Sequence, residues 1–177
     1  MNNQRSVVLY IAMSLDGYIA SLNYGLEFLS PIEDKDQDYS YSDFINSVDT
    51  IIVGRTTYEK MLDMGYDYPH TNKDVYVITH TPRPATDSAV FYAGKLKDLI
   101  FDLKSKKGKD IYVDGGAKVV HELLKENLID EFCLSVIPTL LGEGIPLFRS
   151  GRPELNLKLV STKLYNKGLV QLHYLKA

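Results

Sequence analysis

The stretch Asp110–Phe132, DIYVDGGAKVVHELLKENLIDEF, decides how the whole chain reads. Residues 110–114 are short, apolar and β-prone, as a buried strand is. Residues 117–127 then set Val119, Val120, Leu123 and Leu124 at helical spacing, an apolar stripe suited to packing on a sheet. Between the two stand an acid and a pair of glycines. Adjacent glycines cost backbone entropy that a plain strand-to-helix connection does not require. Two readings account for them. Either Gly115 and Gly116 let amides at a helix N-terminus approach a pyrophosphate, or they let the helix pack closely on its own strand.

Upstream, the same alternation of strand and helix recurs. SVVLYIAM (6–13) reads as a buried first strand, and TIIVG (50–54) as a second that runs straight into the helix RTTYEKMLDM (55–64). DVYVITH (74–80) and AVFYAG (89–94) are further strands. KLKDLIFDLKSKKGK (95–109) is a helix with Leu96, Leu99, Ile100 and Leu103 on its apolar face. DQDYSYSDFINSV (36–48) predicts a helix that turns Tyr41, Phe44, Ile45 and Val48 to one side. SLDGYIASLNYGLEFLSP (14–31) is broken by Gly17, Asn23, Gly25 and Pro31, which predicts a long irregular loop of the functional kind. After Asp130 the helices stop. Three strand-like runs follow, with a tight reversal at Asn166–Gly168 between the last two. The pattern predicts one domain over residues 1–177 with a three-layer α-β-α fold. Its mixed sheet is mostly parallel and closes on an antiparallel C-terminal hairpin.

With 177 residues, 45% of them hydrophobic and 24% charged, the chain can bury a core without disulfide staples. A net charge of −3 argues against nonspecific binding to nucleic acid. The N-terminal run is too short and too interrupted for a signal segment, and no later run spans a membrane. A cytoplasmic protein acting on a small molecule is the expectation, with neither nucleic acid nor membrane as partner. Cys133 sits inside EFCLSVI and reads as a small buried side chain. His70, His80, His121 and His173 have no metal-ligand spacing among themselves or with Cys133, so no metal is expected.

In sheets of this kind ligands settle beyond the carboxyl ends of the strands. AMSLDG, GRTT, THTPR and DGGAK stand at four such ends. Gly54, Arg55, Thr56 and Thr57 can take an anion through amides, hydroxyls and a guanidinium. Equally, a threonine can cap the helix while Arg55 faces solvent. The acidic run PIEDKDQD (31–38) reads as a solvated loop, or as the source of a proton donor. KSKKGKD (104–110) reads as a charged turn.

Together these segments resemble the dihydrofolate reductase-like superfamily, in the branch containing the reductase domain of bacterial riboflavin biosynthesis. The likeness runs in order through nearly the whole chain: IAMSLDGYIA, DTIIVGRTTYE, VYVITHTP, and IYVDGGAKVVHELLKENLIDEFCLSVIPTLLGEGIPLF. It implies an NADPH-dependent reductase. By the resemblance, the backbone of Ala12 and Ile19 would hold the nicotinamide carboxamide. Gly54, Arg55, Thr56 and Thr57 would bind the pyrophosphate and 2′-phosphate, and Thr79, His80 and Thr81 would line the adenosine. Gly115, Gly116, Ala117, Lys118 and Val119 would cradle the pyrophosphate from the facing helix. Asp16 matches a family motif as a catalytic candidate, although the same position can simply hold the loop's shape. A homodimer is implied as well, through the late hairpin or the LLGEGIPLF turn. The implied activity is of the 5-amino-6-(5-phosphoribosylamino)uracil reductase type. Alternatives are a dihydrofolate reductase-like or generalist reductase and a non-catalytic NADPH sensor. The chain departs from the branch at Tyr18, where lysine or arginine is usual, and basic residues for a ribose 5′-phosphate are not found.

Overall fold

The computed structural model describes residues 5–34, 36–65 and 72–177. His70, weighed above as a metal ligand, lies outside them. The chain builds β1 (Val7–Ser14), β2 (Tyr18–Ala20), α1 (Tyr41–Ser47), β3 (Val48–Gly54), α2 (Arg55–Asp63), β4 (Asp74–Ile78) and β5 (Val90–Tyr92). There follow α3 (Leu96–Ser105), β6 (Asp110–Gly115), α4 (Ala117–Lys125), β7 (Glu131–Ile137), β8 (Ile145–Pro146), β9 (Leu157–Leu164) and β10 (Val170–Lys176). Eight strands form one sheet in the order β5-β4-β3-β6-β1-β7-β10-β9, and β2 pairs with β8 in a small second one. The first six strands of that order run parallel, and β10 and β9 close the sheet antiparallel. At the hairpin between β9 and β10, Lys167 and Gly168 take positive φ angles of 60° and 82°.

Because side chains alternate across a pleated strand, each central strand supplies both faces. Leu9, Ile52, Ile111 and Val113 point to the side covered by α3 and α4, where they meet Ile100, Val120, Leu123 and Phe132. Ile51, Val53 and Tyr112 point to the other side, under Phe44 of α1 and Tyr58 of α2. Each fully buried Leu, Ile or Phe contributes about 1.5–3 kcal/mol relative to exposure. At the amino ends of the strands the sheet is closed by a buried cation. Arg5 donates to the carbonyls of Lys109 and Leu103 and to Thr50 Oγ1, and it pairs with Asp49. Among the described residues no helix is long and apolar enough to cross a membrane.

Two segments differ from the sequence reading. The helix expected over residues 36–48 begins only at Tyr41, because Tyr39 and Ser40 adopt left-handed φ values of 55° and 65°. Val48 opens β3 and is buried there, so it does not extend the helix face. The segment 14–31 is not wholly irregular, since it holds β2 and the start of a 3-10 turn over Glu27–Ile32.

Candidate functional site

Parallel pairing brings the carboxyl ends of β4, β3, β6, β1 and β7 side by side at one edge of the sheet. Val53 is in register with Gly115, so the starts of α2 and α4 are neighbours. They touch. A Cβ added to Gly116 would lie 2.8 Å from Thr57 Oγ1, and one on Gly54 would lie 3.4 Å from the Gly116 amide nitrogen. The same Gly54 Cβ would stand 3.2 Å from Val119 Cγ2, so close helix packing also uses a glycine here. Gly115 has φ +114°, a conformation that side chains rarely adopt. The Gly115–Gly116 peptide bond is cis.

The residues at the N-caps of α2 and α4 are Gly54 and Gly116, and neither helix has a side-chain cap. Threonine capping of α2 is therefore not realised. The first-turn amides of both helices keep their hydrogen-bonding capacity and their share of positive helix-end potential. Arg55 is 41% exposed at its side chain, with Nε 4.0 Å from Glu59 Oε2. The other oxygen of Glu59 accepts from Arg83 at 3.0 Å. Two guanidinium groups thus share one exposed carboxylate, an arrangement of low net energy that a stronger anion can displace. Arg83, which ends THTPR, carries no signal of this role in the sequence beyond its charge. Thr79 is buried and shapes its loop: its amide donates to the Tyr92 carbonyl and its hydroxyl oxygen accepts from the Thr81 amide at 3.2 Å. His80 and Thr81 are exposed beside it, while Ala117 and Val119 are buried and Lys118 reaches solvent.

Beside these helices the sheet opens. The β1–β6 ladder ends at Leu9–Val113, whereas β1 continues against β7 from Val8 to Ser14. Ala12 stands on the stretch of β1 that has left β6. Ile19 lies on β2, where Tyr18 and Ala20 pair with β8. Asp16 is exposed, and its carboxylate accepts from Ser14 Oγ at 2.6 Å, the Leu141 amide at 3.1 Å and the Gly142 amide at 2.8 Å. The Ser14 hydroxyl, then the Gly142 and Leu141 amides, hold its carboxyl below the usual aspartate range. Asp16 therefore ties the loop after β1 to the turn after β7.

On the face beneath α1, Tyr10 stacks on Phe44 with centroids 4.2 Å apart, and Phe44 meets Tyr112 edge-on at 4.9 Å. Tyr112 Oη donates to Asp114 Oδ1 at 2.6 Å. In the sequence Asp114 shows only as the end of a strand, because its tyrosine partners come from pleat geometry and a distant helix. Burial first, and Asp114 next, push the Tyr41 hydroxyl well above the usual tyrosine range, so it stays protonated and can donate. Tyr10 Oη donates to the Tyr39 carbonyl at 2.9 Å, and Gln171 Nε2 donates to Tyr10 Oη at 3.0 Å, which links the start of α1 to β10. Burial pushes the Cys133 thiol up to about 11, which leaves it unreactive at neutral pH. A separate shallow concavity of about 140 Å³, lined by Lys73–Tyr76 and Thr86–Val90, starts at the amino end of β4, away from this edge.

Residues 5–171 match the family model of the RibD C-terminal domain. The protein YwjB of Bacillus subtilis (strain 168) is 41% identical over 175 residues, 98% of this chain and 99% of its own length. A solved structure from Shewanella sp. PV-4, provisionally named for riboflavin biosynthesis, is 31% identical with a TM-score of 0.90, covering 97% of this chain and 99% of that one. The diaminohydroxyphosphoribosylaminopyrimidine deaminase/5-amino-6-(5-phosphoribosylamino)uracil reductase of Thermotoga maritima shares the fold, with a TM-score of 0.72 at 16% identity; the match covers 98% of this chain and 57% of that one.

Proposed function

The chain belongs to the RibD C-terminal domain family and has a dihydrofolate reductase-like fold, and from that premise we propose that it is an NADPH-dependent reductase of a small heterocycle. The observation that carries this reading is the contact between two uncapped helix starts at Gly54 and Gly116, beside an opening between β1 and β6. Uncapped amides on facing helices suit a diphosphate, and a cradle that a Cβ would fill suits close approach of backbone to ligand.

Bound NADPH would supply the hydride. The first-turn amides of α2 and α4, at Thr56, Thr57 and Ala117–Val119, would hold its pyrophosphate. Arg55 and Arg83 would leave Glu59 for the 2′-phosphate, since charge-assisted guanidinium–phosphate bonds are stronger than exposed ion pairs. His80 and Thr81 would flank the adenosine, and backbone groups of Ala12 and Ile19 would take the carboxamide. The acceptor would lie between β1, α1 and the turn over 138–144. There Tyr41, protonated and next to Asp114, is a donor within the wall, while Asp16 keeps the two loops in place. We assign Asp16 to positioning on this account.

The edge strand β9 exposes Leu159, Val160 and Leu164. Such an edge invites pairing with a second copy of the chain, so the reading includes a homodimer, which sedimentation equilibrium would test. The cofactor reading is tested by titrating the protein with NADPH and NADH and following the fluorescence of the reduced nicotinamide, which no tryptophan obscures. Saturable NADPH binding at least about tenfold tighter than NADH is expected. Binding of neither would reject the reductase assignment.

A further inference from the structure

We infer that the acceptor taken by this site carries no phosphate or other anionic arm and is an uncharged or positively charged planar heterocycle. This rests on the reductase reading above. It follows from how the two halves of the site treat anions.

On the cofactor side the helix-start amides are uncapped and guanidinium groups stand beside them. On the acceptor side the comparable amides already hold carboxylates. The Ser40 and Ser42 amides at the start of α1 donate to Asp38, at 3.0 and 3.2 Å. The Leu141 and Gly142 amides in the turn after β7 donate to Asp16. These bonds also hold both carboxyls below the usual aspartate range, with the Ser42 side chain the largest contributor at Asp38 and the Ser14 hydroxyl at Asp16.

The charge carried by the segments that supply the wall has the same sign. From Ser14 to Ser47 the sequence carries seven carboxylates, namely Asp16, Glu27, Glu33, Asp34, Asp36, Asp38 and Asp43, against Lys35 alone. Glu143 adds a further acid in the turn. Two cations from the hairpin reach this wall, and both are engaged by it. Lys163 donates to Ser40 Oγ at 3.0 Å, while Lys167 donates to the Glu33 carbonyl and stands 3.8 Å from Asp34. A third cation, Lys60 on α2, has Nζ 6.0 Å from the ring centroid of Tyr24 in the same segment, which still leaves the acids in excess. A phosphate dianion entering here would find its amide partners occupied and an excess of like charge. A planar ring, in contrast, suits a wall on which Tyr10, Tyr41 and Phe44 are half-buried.

A matched pair of probes tests the inference: 5-amino-6-ribosylaminouracil and its 5′-phosphate, titrated by calorimetry into protein saturated with NADP⁺. The unphosphorylated compound is expected to bind at least about tenfold more tightly at low salt. The gap should shrink as salt screens the wall, and again in the double variant Glu33→Gln/Asp36→Asn. Equal binding, tighter binding of the phosphate form, or no binding of either compound overturns the inference. Cofactor titration separates the two levels. Normal NADPH binding with a reversed preference removes only the acceptor class, whereas absent NADPH binding removes the reductase reading and this inference with it.

Discussion

The carboxyl edge of the sheet holds two halves that are built differently. The half at β3 and β6 is made of regular structure, with helices starting directly from strands and glycines at the junctions. The half at β1 and β7 is made of loops joined by side chains, with Asp16, Ser14 and Asp38 each bonded to backbone amides. In the first half the helix-start amides have no side-chain cap; in the second, amides are bonded to the protein's own carboxylates. Bare helix ends keep their amides open to other acceptors, whereas a wall that must hold its own shape gives them to carboxylates.

The contrast breaks most sharply at Gly116. A Cβ there meets Thr57 Oγ1 at 2.8 Å, so Gly116→Val forces the start of α2 away from α4 and covers the bare amides. NADPH affinity should fall at least about a hundredfold, roughly 2.7 kcal/mol, which is near the top of the range for one charge-assisted contact. Thermal unfolding should shift only modestly, because the side chain lies at the sheet edge and not in the core. A variant that binds NADPH normally would leave Gly116 as a packing residue and dissolve the distinction between the two halves.

Arg55→Ala probes the same half more gently. Its side chain is 41% exposed, so the loss should lie near the lower end of the charge-assisted range, about 1.5 kcal/mol or roughly tenfold in NADPH affinity. NADH binding should barely change. Equal losses for both cofactors would remove Arg55 from the 2′-phosphate. If Arg83→Ala alone reproduces the NADPH-specific loss, the cation that ends THTPR carries that contact.

The two halves were also unequally legible. Val119, Val120, Leu123 and Leu124 disclose α4 because burial repeats at the helical period, and the parallel strands disclose themselves by unbroken apolar runs. Gly115, Gly116 and Arg55 leave a trace in composition, since close backbone approach and an exposed guanidinium need those residue types. The other half leaves no periodic trace. β2 spans three residues and β8 two, and their partners lie some 125 positions apart, too short and too distant for alternation to register. The left-handed pair Tyr39–Ser40, which cuts α1 short, depends on Tyr10 and Gln171 from the far ends of the chain. Asp114 gains its significance from Tyr112 and Tyr41, a contact that no local motif announces.

Asp16 gives the smallest expected effect and the finest test of the loop-built half. Asp16→Asn keeps an oxygen that can accept one bond but loses the charge and the second acceptor, so the loop after β1 should loosen from the turn after β7. Turnover should fall about three- to tenfold with NADPH affinity unchanged, the size expected from one or two weakened hydrogen bonds, and limited proteolysis should speed up within these two loops. Because its folded carboxyl titrates below the unfolded value, the stabilisation it gives is fully present above the ordinary aspartate pKa of about 3.9. It is lost as pH falls through the lower folded value. Wild-type protein should therefore show a steeper acid limb in its stability than the asparagine variant, which keeps the contribution of Asp38, and the two curves should run parallel near neutrality. A proton donor at this position would behave otherwise: turnover would fall by orders of magnitude near neutral pH while proteolysis stayed unchanged. That outcome would move Asp16 from holding the wall to acting on the acceptor.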